Sequence, residues 1–240
     1  MHRRLSLTRP IALMGAIVLA ALVVSGCGVV RNNGRNTTQI GSAPYTEGSG
    51  RTASETRGLA AFQAVSVENG LTVFVSRGAR PSVRVTADDN LLAMIATEVS
   101  AGTLRISVEG NLRTHGKLEV EVTCADRLES IAQSSGSTMD IEDVGGDAIA
   151  ISVQGGSTLR AGGFAGTLQL DVSGGSTADL RNVQTQTAHV KVDGGSTALI
   201  RAASAIDGSC HGGSTVMVSG GADPSAVDRD SGSSVVRDRD

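Results

Sequence analysis

Carboxylates recur along the second half of this chain: Asp140, Asp171 and Asp179, with Arg160 and Lys191 among them. Paired carboxylates, or a carboxylate beside a basic group, are what polysaccharide cleavage needs, because one group gives a proton while another takes one or attacks. Asp193, His211 and Asp230 stand at matching places in successive repeats, where the available chemistry is a shared cation or an ion pair. Cys124 and Cys210 are thiols that an oxidising compartment can join. Thr138, Thr158, Thr177, Thr197 and Thr215 recur at one position and offer a ladder of hydroxyls. Each group also has a plainer reading as surface charge, solvated polar row, buried thiol or strand-favouring residue. The elements that position them decide between the two.

Those elements follow a repeat. Ser135-Gly136-Ser137-Thr138 is echoed by Gly-Gly-Ser-Thr at 155–158, 174–177, 194–197 and 212–215, and by Ser231-Gly232-Ser233-Ser234. The second residues of the echoes are 20, 19, 20, 18 and 19 residues apart. A fixed period of this size marks a solenoid, whose coils bury their apolar sides only by stacking. Five residues before the second residue of each echo stand Ile131, Ile151, Leu170, Val190, Gly208 and Val227; three after it stand Met139, Leu159, Ala178, Ala198, Val216 and Val235. The residues between these ranks are mostly polar. Each coil therefore holds a strand, a glycine corner and a second strand, with alternate residues inward. Ser after the glycines has inward parity and can bond to the corner backbone. Thr has outward parity, and coils about 4.8 Å apart would align the threonines.

This geometry bears on the candidate chemistry. Cys124 and Cys210 are 86 residues apart. That separation is several coils, roughly 20 Å along the axis at the strand spacing, whereas a disulfide needs Cα atoms within about 7 Å. Both are therefore expected as buried free thiols. No metal site and no cofactor is expected: the Asp193, His211 and Asp230 row reads as a polar surface row. The carboxylates lack an aromatic sugar platform, so no catalytic residue is assigned. The last echo decays, with Arg229 and Arg237 at inward positions; it ends the solenoid either as a polar cap or as a frayed tail, residues 235–240.

Composition narrows the classes. The 240 residues carry a net charge of −3 and are 40% apolar, with 31 Gly, no Trp, one Tyr and three Phe. A core of Val, Ile, Leu and Ala suits a narrow interior of identical layers. Without a basic excess or aromatic stacking surface, a nucleic-acid partner is not expected. Residues 1–26 have a basic start (Arg3, Arg4, Arg9) and a short apolar run, Ile11–Val24, below the roughly 20 residues of a membrane span. The run ends Val24-Ser25-Gly26-Cys27, which resembles a bacterial lipobox. That resemblance implies cleavage before Cys27 and acylation of its thiol, so that the membrane itself is one partner. Gly28 in place of Asp favours an outer-membrane anchor in a two-membrane cell. Without residues 1–26 the charge is −6. Residues 27–60, rich in Asn, Gly, Ser and Thr, read as a flexible tether.

Residues 61–131 alternate with period two at Val65 and Val67, at Leu71, Val73 and Val75, and at Val83 and Val85. Asp88-Asp89-Asn90 before Leu91–Ile95 predicts one short helix. The order Phe62, Ala87-Asp88-Asp89-Asn90-Leu91-Leu92, Gly102-Thr103-Leu104-Arg105-Ile106, Leu118–Val122 and Leu128–Ile131 is similar to the head GIN domain family of adhesin heads. The resemblance covers about 61–215 and implies a single-stranded right-handed parallel β-helix, exported and often lipid-anchored. In place of the family's acidic turns this chain repeats Gly-Gly-Ser-Thr, and it has no Gly-Ile-Asn. The expected organisation is a signal peptide 1–26, a tether 27–60, an all-β solenoid head 61–234 and a tail 235–240. The expected function is a non-catalytic adhesion or envelope-interaction module on the extracytoplasmic side, meeting a glycan or an envelope protein through the threonine ladder, Asp193 and His211. The alternatives are a polysaccharide-active lyase or hydrolase and a passive spacer. The sequence leaves the oligomeric state open.

Overall fold

In the computed structural model, which describes residues 45–238, the chain forms a parallel β-solenoid of about five turns. The lipobox, the signal peptide and the first part of the tether lie outside the described residues. β1 (Thr46–Glu47) and β2 (Thr52–Gly58) come first. β3 (Ala64–Val67) and β4 (Thr72–Arg77) then make a coil around Asn69-Gly70. β5 (Ser82–Asp88), β6 (Ile95–Ser100), β7 (Thr103–Val108), β8 (Leu112–Arg113) and β9 (Glu119–Cys124) leave that path and return to it. From β10 (Ser130–Gln133) the coils follow in chain order: β11 (Thr138–Val153), β12 (Thr158–Val172), β13 (Thr177–Val192), β14 (Thr197–Cys210), β15 (Thr215–Ser219), β16 (Val227–Arg229) and β17 (Ser234–Arg237).

Each coil has a trailing side just after a corner, a leading side just ahead of the next corner, and a third side between them. On the trailing side Met139, Leu159, Ala178, Ala198, Val216 and Val235 stack in register. On the leading side Ile131, Ile151, Leu170, Val190, Gly208 and Val227 do the same. The apolar members of both ranks are buried, save the half-buried Val235. Corners stay in step although coil lengths differ, because register shifts fall in or next to the third side, as between Ile141 and Val144 and between Leu180 and Thr185.

The corner explains both glycines. Gly155, Gly174, Gly194 and Gly212 have φ of +65° to +68°, and a Cβ on any of them would lie 2.9–3.3 Å from a backbone nitrogen of the preceding coil. The second glycine of each pair also has positive φ but faces open space. The first is thus required by stacking and by φ, the second by φ alone. Ser157, Ser176 and Ser196 are 1% exposed. The Ser157 and Ser176 hydroxyls donate to the carbonyls of Gln154 and Ser173. Their oxygens also link coils: the N–H groups of Ser157, Ser176 and Ser196 donate to Oγ of Ser176, Ser196 and Ser214 at 3.2, 3.3 and 3.2 Å.

Four expectations change. The run after Asp88-Asp89-Asn90 makes only a 3-10 turn, Leu92–Met94, because Ile95 already starts β6 against β7. Asp88 caps nothing. It is fully buried, and its Oδ2 accepts from Thr114 Oγ1 at 3.0 Å and from the His115 N–H at 3.1 Å. The expected tether is too long: residues 52–58 form β2, antiparallel to β5. A polar edge strand needs little apolar burial when its partner supplies the backbone bonds, and the charged Glu55 and Arg57 blunt that edge. The coil at Asn69-Gly70 is a further echo: Thr72 pairs with Thr138, and buried Leu71 fills the serine position. Finally, the decayed echo is a cap rather than a frayed tail. β17 includes 235–237, Arg237 Nη2 donates to the Ala222 carbonyl at 2.7 Å, and Arg229 Nη1 donates to the Ser233 carbonyl at 3.3 Å.

Cys124 and Cys210 are free and buried, as the coil spacing requires, and burial pushes both thiols up from their ordinary range.

Candidate functional site

The trailing side carries the threonine ladder. Thr72, Thr138, Thr158, Thr177, Thr197 and Thr215 are in continuous register, with Ser234 closing the row. The next outward rank is mixed: Phe74, Asp140, Arg160, Asp179, Leu199, Met217 and Val236. The surface is flat and has no single chemistry. Asp179 is occupied, accepting from Arg181 Nε at 2.9 Å and Nη2 at 2.7 Å, and these bonds hold its carboxyl below the ordinary carboxylate range.

The leading side places the polar row differently from the expected alignment. His211 lies between Asp193, with Nδ1 3.9 Å from Oδ1, and Asp228, with Nε2 3.5 Å from Oδ2. The two ring nitrogens face different carboxylates, so one cation cannot take the imidazole and both acids. Asp230 does not join them. Its carboxylate accepts from the Gly212 N–H at 2.8 Å and the Gly232 N–H at 3.2 Å. The Ser233 hydroxyl, then the Gly212 N–H, hold it below the ordinary range. His189 pairs with Asp207 on the next coil. Among the described residues no group of three or more His, Cys, Asp or Glu side chains is arranged to hold a metal ion.

These carboxylates set an acid limit on stability. Glu55, Asp89, Asp179, Asp223 and Asp230 all sit below their ordinary values because local hydrogen bonds favour the ionised form. A depressed folded-state pKa gives stability that is present above the unfolded value and is lost as pH falls through the folded one. Thermal melts should therefore be level down to about pH 5 and fall steadily below about pH 4. Asp179→Asn should flatten part of that fall, and a melting temperature that rose on acidification would contradict the assignment.

The candidate catalytic carboxylates do not converge. Asp140 and Asp179 are on the trailing side with Arg160 between them, whereas Asp171 is on the leading side beside Lys191.

A groove of about 450 Å³ runs along the leading side across five strands, from Ser130–Ala132 in β10 to Gly208 in β14. Its depth comes from small outward residues. Ser130, Ala132, Ala150 and Ser152 occupy the ranks that Gln169, Asp171, His189 and Lys191 fill on later coils. A second hollow of about 560 Å³ adjoins it, shares Ala150 and Gln169, and is edged by Arg127, Glu129 and Asp147. Both volumes fall in the roughly 300–1,000 Å³ range of ligand clefts. The sequence reading did not find this groove, since its signal is the size of outward residues rather than a motif. It also passed over two exposed aromatics, Phe74 and Phe164; Phe164 stands in register with Gly145 of the second hollow.

The sequence matches the family model described as "Putative auto-transporter adhesin, head GIN domain" over residues 61–222. Among solved structures, a putative adhesin from Bacteroides fragilis is similar with a TM-score of 0.64 at 14% identity, covering 80% of this chain and 99% of that one. A putative adhesin from Parabacteroides distasonis gives 0.51 at 14% identity, covering 81% and 100%. A putative lipid binding protein from the same species gives 0.50 at 12% identity, covering 82% and 100%. At these identities the likeness is one of fold. No curated protein matches the chain. Among the described residues no helix is long and apolar enough to cross a membrane.

Proposed function

The chain belongs to the family of auto-transporter adhesin head GIN domains, and from that premise we propose that it is a non-catalytic adhesion module, held outside the cytoplasm by an acylated Cys27. The observation that carries this reading is the leading-side groove. Its polar side chains are spread along four strands, from Ser130 in β10 to Lys191 in β13, instead of converging on one point. Catalysis needs an acid, a base and a reacting atom within hydrogen-bond reach of one another. A binding surface needs spread contacts on a rigid frame, and a stacked solenoid supplies that frame. On this reading the groove meets a glycan or an envelope protein, and the threonine side is the secondary surface.

The test uses the full chain with Cys27→Ser on an array of glycans and envelope proteins. Binding without turnover is the expected result. Binding should fall at least tenfold in Ala150→Trp, which fills the groove, and should survive Thr158→Lys, Thr177→Lys and Thr197→Lys combined. Loss in the triple variant alone would move the contact to the threonine ladder. Product formation from a bound polysaccharide would replace the adhesion reading with an enzymatic one.

A further inference from the structure

We propose that Tyr45–Ser49 is a strap that opens independently of the solenoid, with Asp88 as its seat and Gly50 as its pivot. Shut, it fixes residue 45, from which the chain runs back to Cys27, against the head; open, it frees that point. The use of such a device at a membrane rests on the acylated Cys27 of the adhesion reading, whereas the opening itself does not. Three observations carry it.

The first is how the strap is held. β1 pairs with β8 over only two residues, Thr46 with Leu112 and Glu47 with Arg113. The Thr46 N–H donates to the Asn111 carbonyl at 2.9 Å and the Gly48 N–H to the Arg113 carbonyl at 2.8 Å. Asn90 bridges two positions: its Nδ2 donates to the Glu47 carbonyl and its Oδ1 accepts the Ser49 N–H, both at 2.8 Å. The Ser49 hydroxyl donates to Asp89, the Glu47 carboxylate meets His115 Nε2 at 2.7 Å, and the Arg113 guanidinium lies 4.6 Å from the centre of the Tyr45 ring. These contacts define one position. They are nevertheless polar contacts at the surface: from Tyr45 to Arg51 every residue except Gly48 is exposed, and none belongs to the apolar core. Water competes for such bonds, so each contributes little net stability. A segment without buried apolar contacts opens locally at far lower free energy than the stacked coils.

The second is the seat. Asp88 is fully buried, and its Oδ1 has no hydrogen-bond partner among the described residues. Gly48 lies directly on this carboxylate: a Cβ there would be 1.8 Å from Oδ2 and 2.7 Å from Cγ. A buried oxygen without a bond is unfavourable. Lifting Gly48 lets water reach the carboxylate, so the strap closes against the hydration of its own seat.

The third is the pivot. Gly50 has φ of +75°, and no heavy atom lies within 4 Å of its Cβ position, so its backbone can turn without crowding. Beyond it the chain is fixed. The Arg51 carbonyl accepts the Asp89 N–H at 2.8 Å, and Arg51 Nη2 stands 2.8 Å from Asp89 Oδ2. β2 then pairs with β5 along its whole length, and Arg57 pins its far end by donating to the Ile95 carbonyl at 2.6 Å and the Leu92 carbonyl at 2.9 Å. Motion of the strap therefore stops at Gly50.

Hydrogen exchange read by mass spectrometry on the full chain with Cys27→Ser tests this. Amides of 46–49 should be protected relative to an unstructured peptide, yet exchange at least a hundredfold faster than those of β11–β14. Gly48→Ala should speed exchange at 46–49 and 113–116 at least tenfold and leave β11–β14 unchanged. Asp88→Asn keeps an acceptor for Thr114 and the His115 N–H but removes the carboxylate, and should slow exchange of the strap at least threefold. Exchange of the strap at the rate of the coils, or at the rate of an unstructured peptide, overturns the proposal, as does a Gly48→Ala variant that loosens the coils equally. Labelled palmitate fed to cells that make the parent chain reads the anchor separately. If the strap opens as stated and no label is incorporated, the strap stands and its use at a membrane falls.

Discussion

Replacing Gly208 by valine should destabilise the protein severely, although it restores the repeat. Position 208 belongs to the inward leading-side rank Ile131, Ile151, Leu170, Val190 and Val227. By pattern alone valine is the missing member. The backbone says otherwise. Gly208 has φ of +124°, and a Cβ there would lie 1.8 Å from the carbonyl oxygen of Val190 and 2.8 Å from its carbon. Both obstacles are backbone, so no side-chain rotation relieves them. Forced positive φ alone costs about 1–3 kcal/mol, and the clash adds to it. Gly208→Ala should cost at least about 3 kcal/mol and Gly208→Val more, among the largest effects of a single substitution. Since 1 kcal/mol moves the midpoint of a chain this size by roughly 2–4 °C, the alanine variant should melt at least about 6 °C lower. A valine variant as stable as the parent would show that the coil can rotate this peptide, and would remove the steric account.

The second large effect is in the serine ladder. Ser176 donates its hydroxyl to the Ser173 carbonyl at 2.7 Å and accepts the Ser157 N–H at 3.2 Å. Ser176→Ala leaves that N–H buried without its partner, at a cost of about 1–3 kcal/mol. Ser196→Ala does the same to the Ser176 N–H, which donates to Ser196 Oγ at 3.3 Å. The two sites share one chain of bonds along the axis, so they should not add. A double-mutant cycle by urea unfolding should give a coupling of at least about 0.5 kcal/mol. Additivity within error would mean that each serine serves only its own corner.

How much of this was legible in the sequence follows from which side of the chain each feature faces. The inward ranks and the corners are periodic and apolar, or glycine, so the coils from β10 onward could be read residue by residue. The first coil was half hidden, because Leu71 stands where serine recurs and Asn69 replaces a glycine. The helix after Asp88 was misread because a capping sequence precedes an apolar run in both cases; what decided it was pairing with β7, which is tertiary. β2 was missed since an edge strand needs backbone partners rather than apolar side chains. The groove escaped because it is a contrast between neighbouring coils, Ala150 beside Gln169 and Ser152 beside Asp171, and contrast exists only once the coils are stacked. The approach of His211 to Asp228, instead of to Asp230, turns on side-chain directions that parity does not give.

The out-of-order first coil has a consequence for how the chain folds as it is made. β3 and β4 are flanked by β7 and β9 on one side and by β10 and β11 on the other. Synthesised early, they must wait for both sets of partners, and β10 arrives only at residue 130. Each later coil finds its neighbour within about twenty residues of chain. Closing long loops before their contacts form slows folding, while local pairing is quick. Structure should therefore nucleate in the coils from β11 to β14 and spread toward the amino-terminal end. The first-made coil becomes the last to be sealed, and its open strand edges are the interval in which a chaperone, or an aggregate, can take hold.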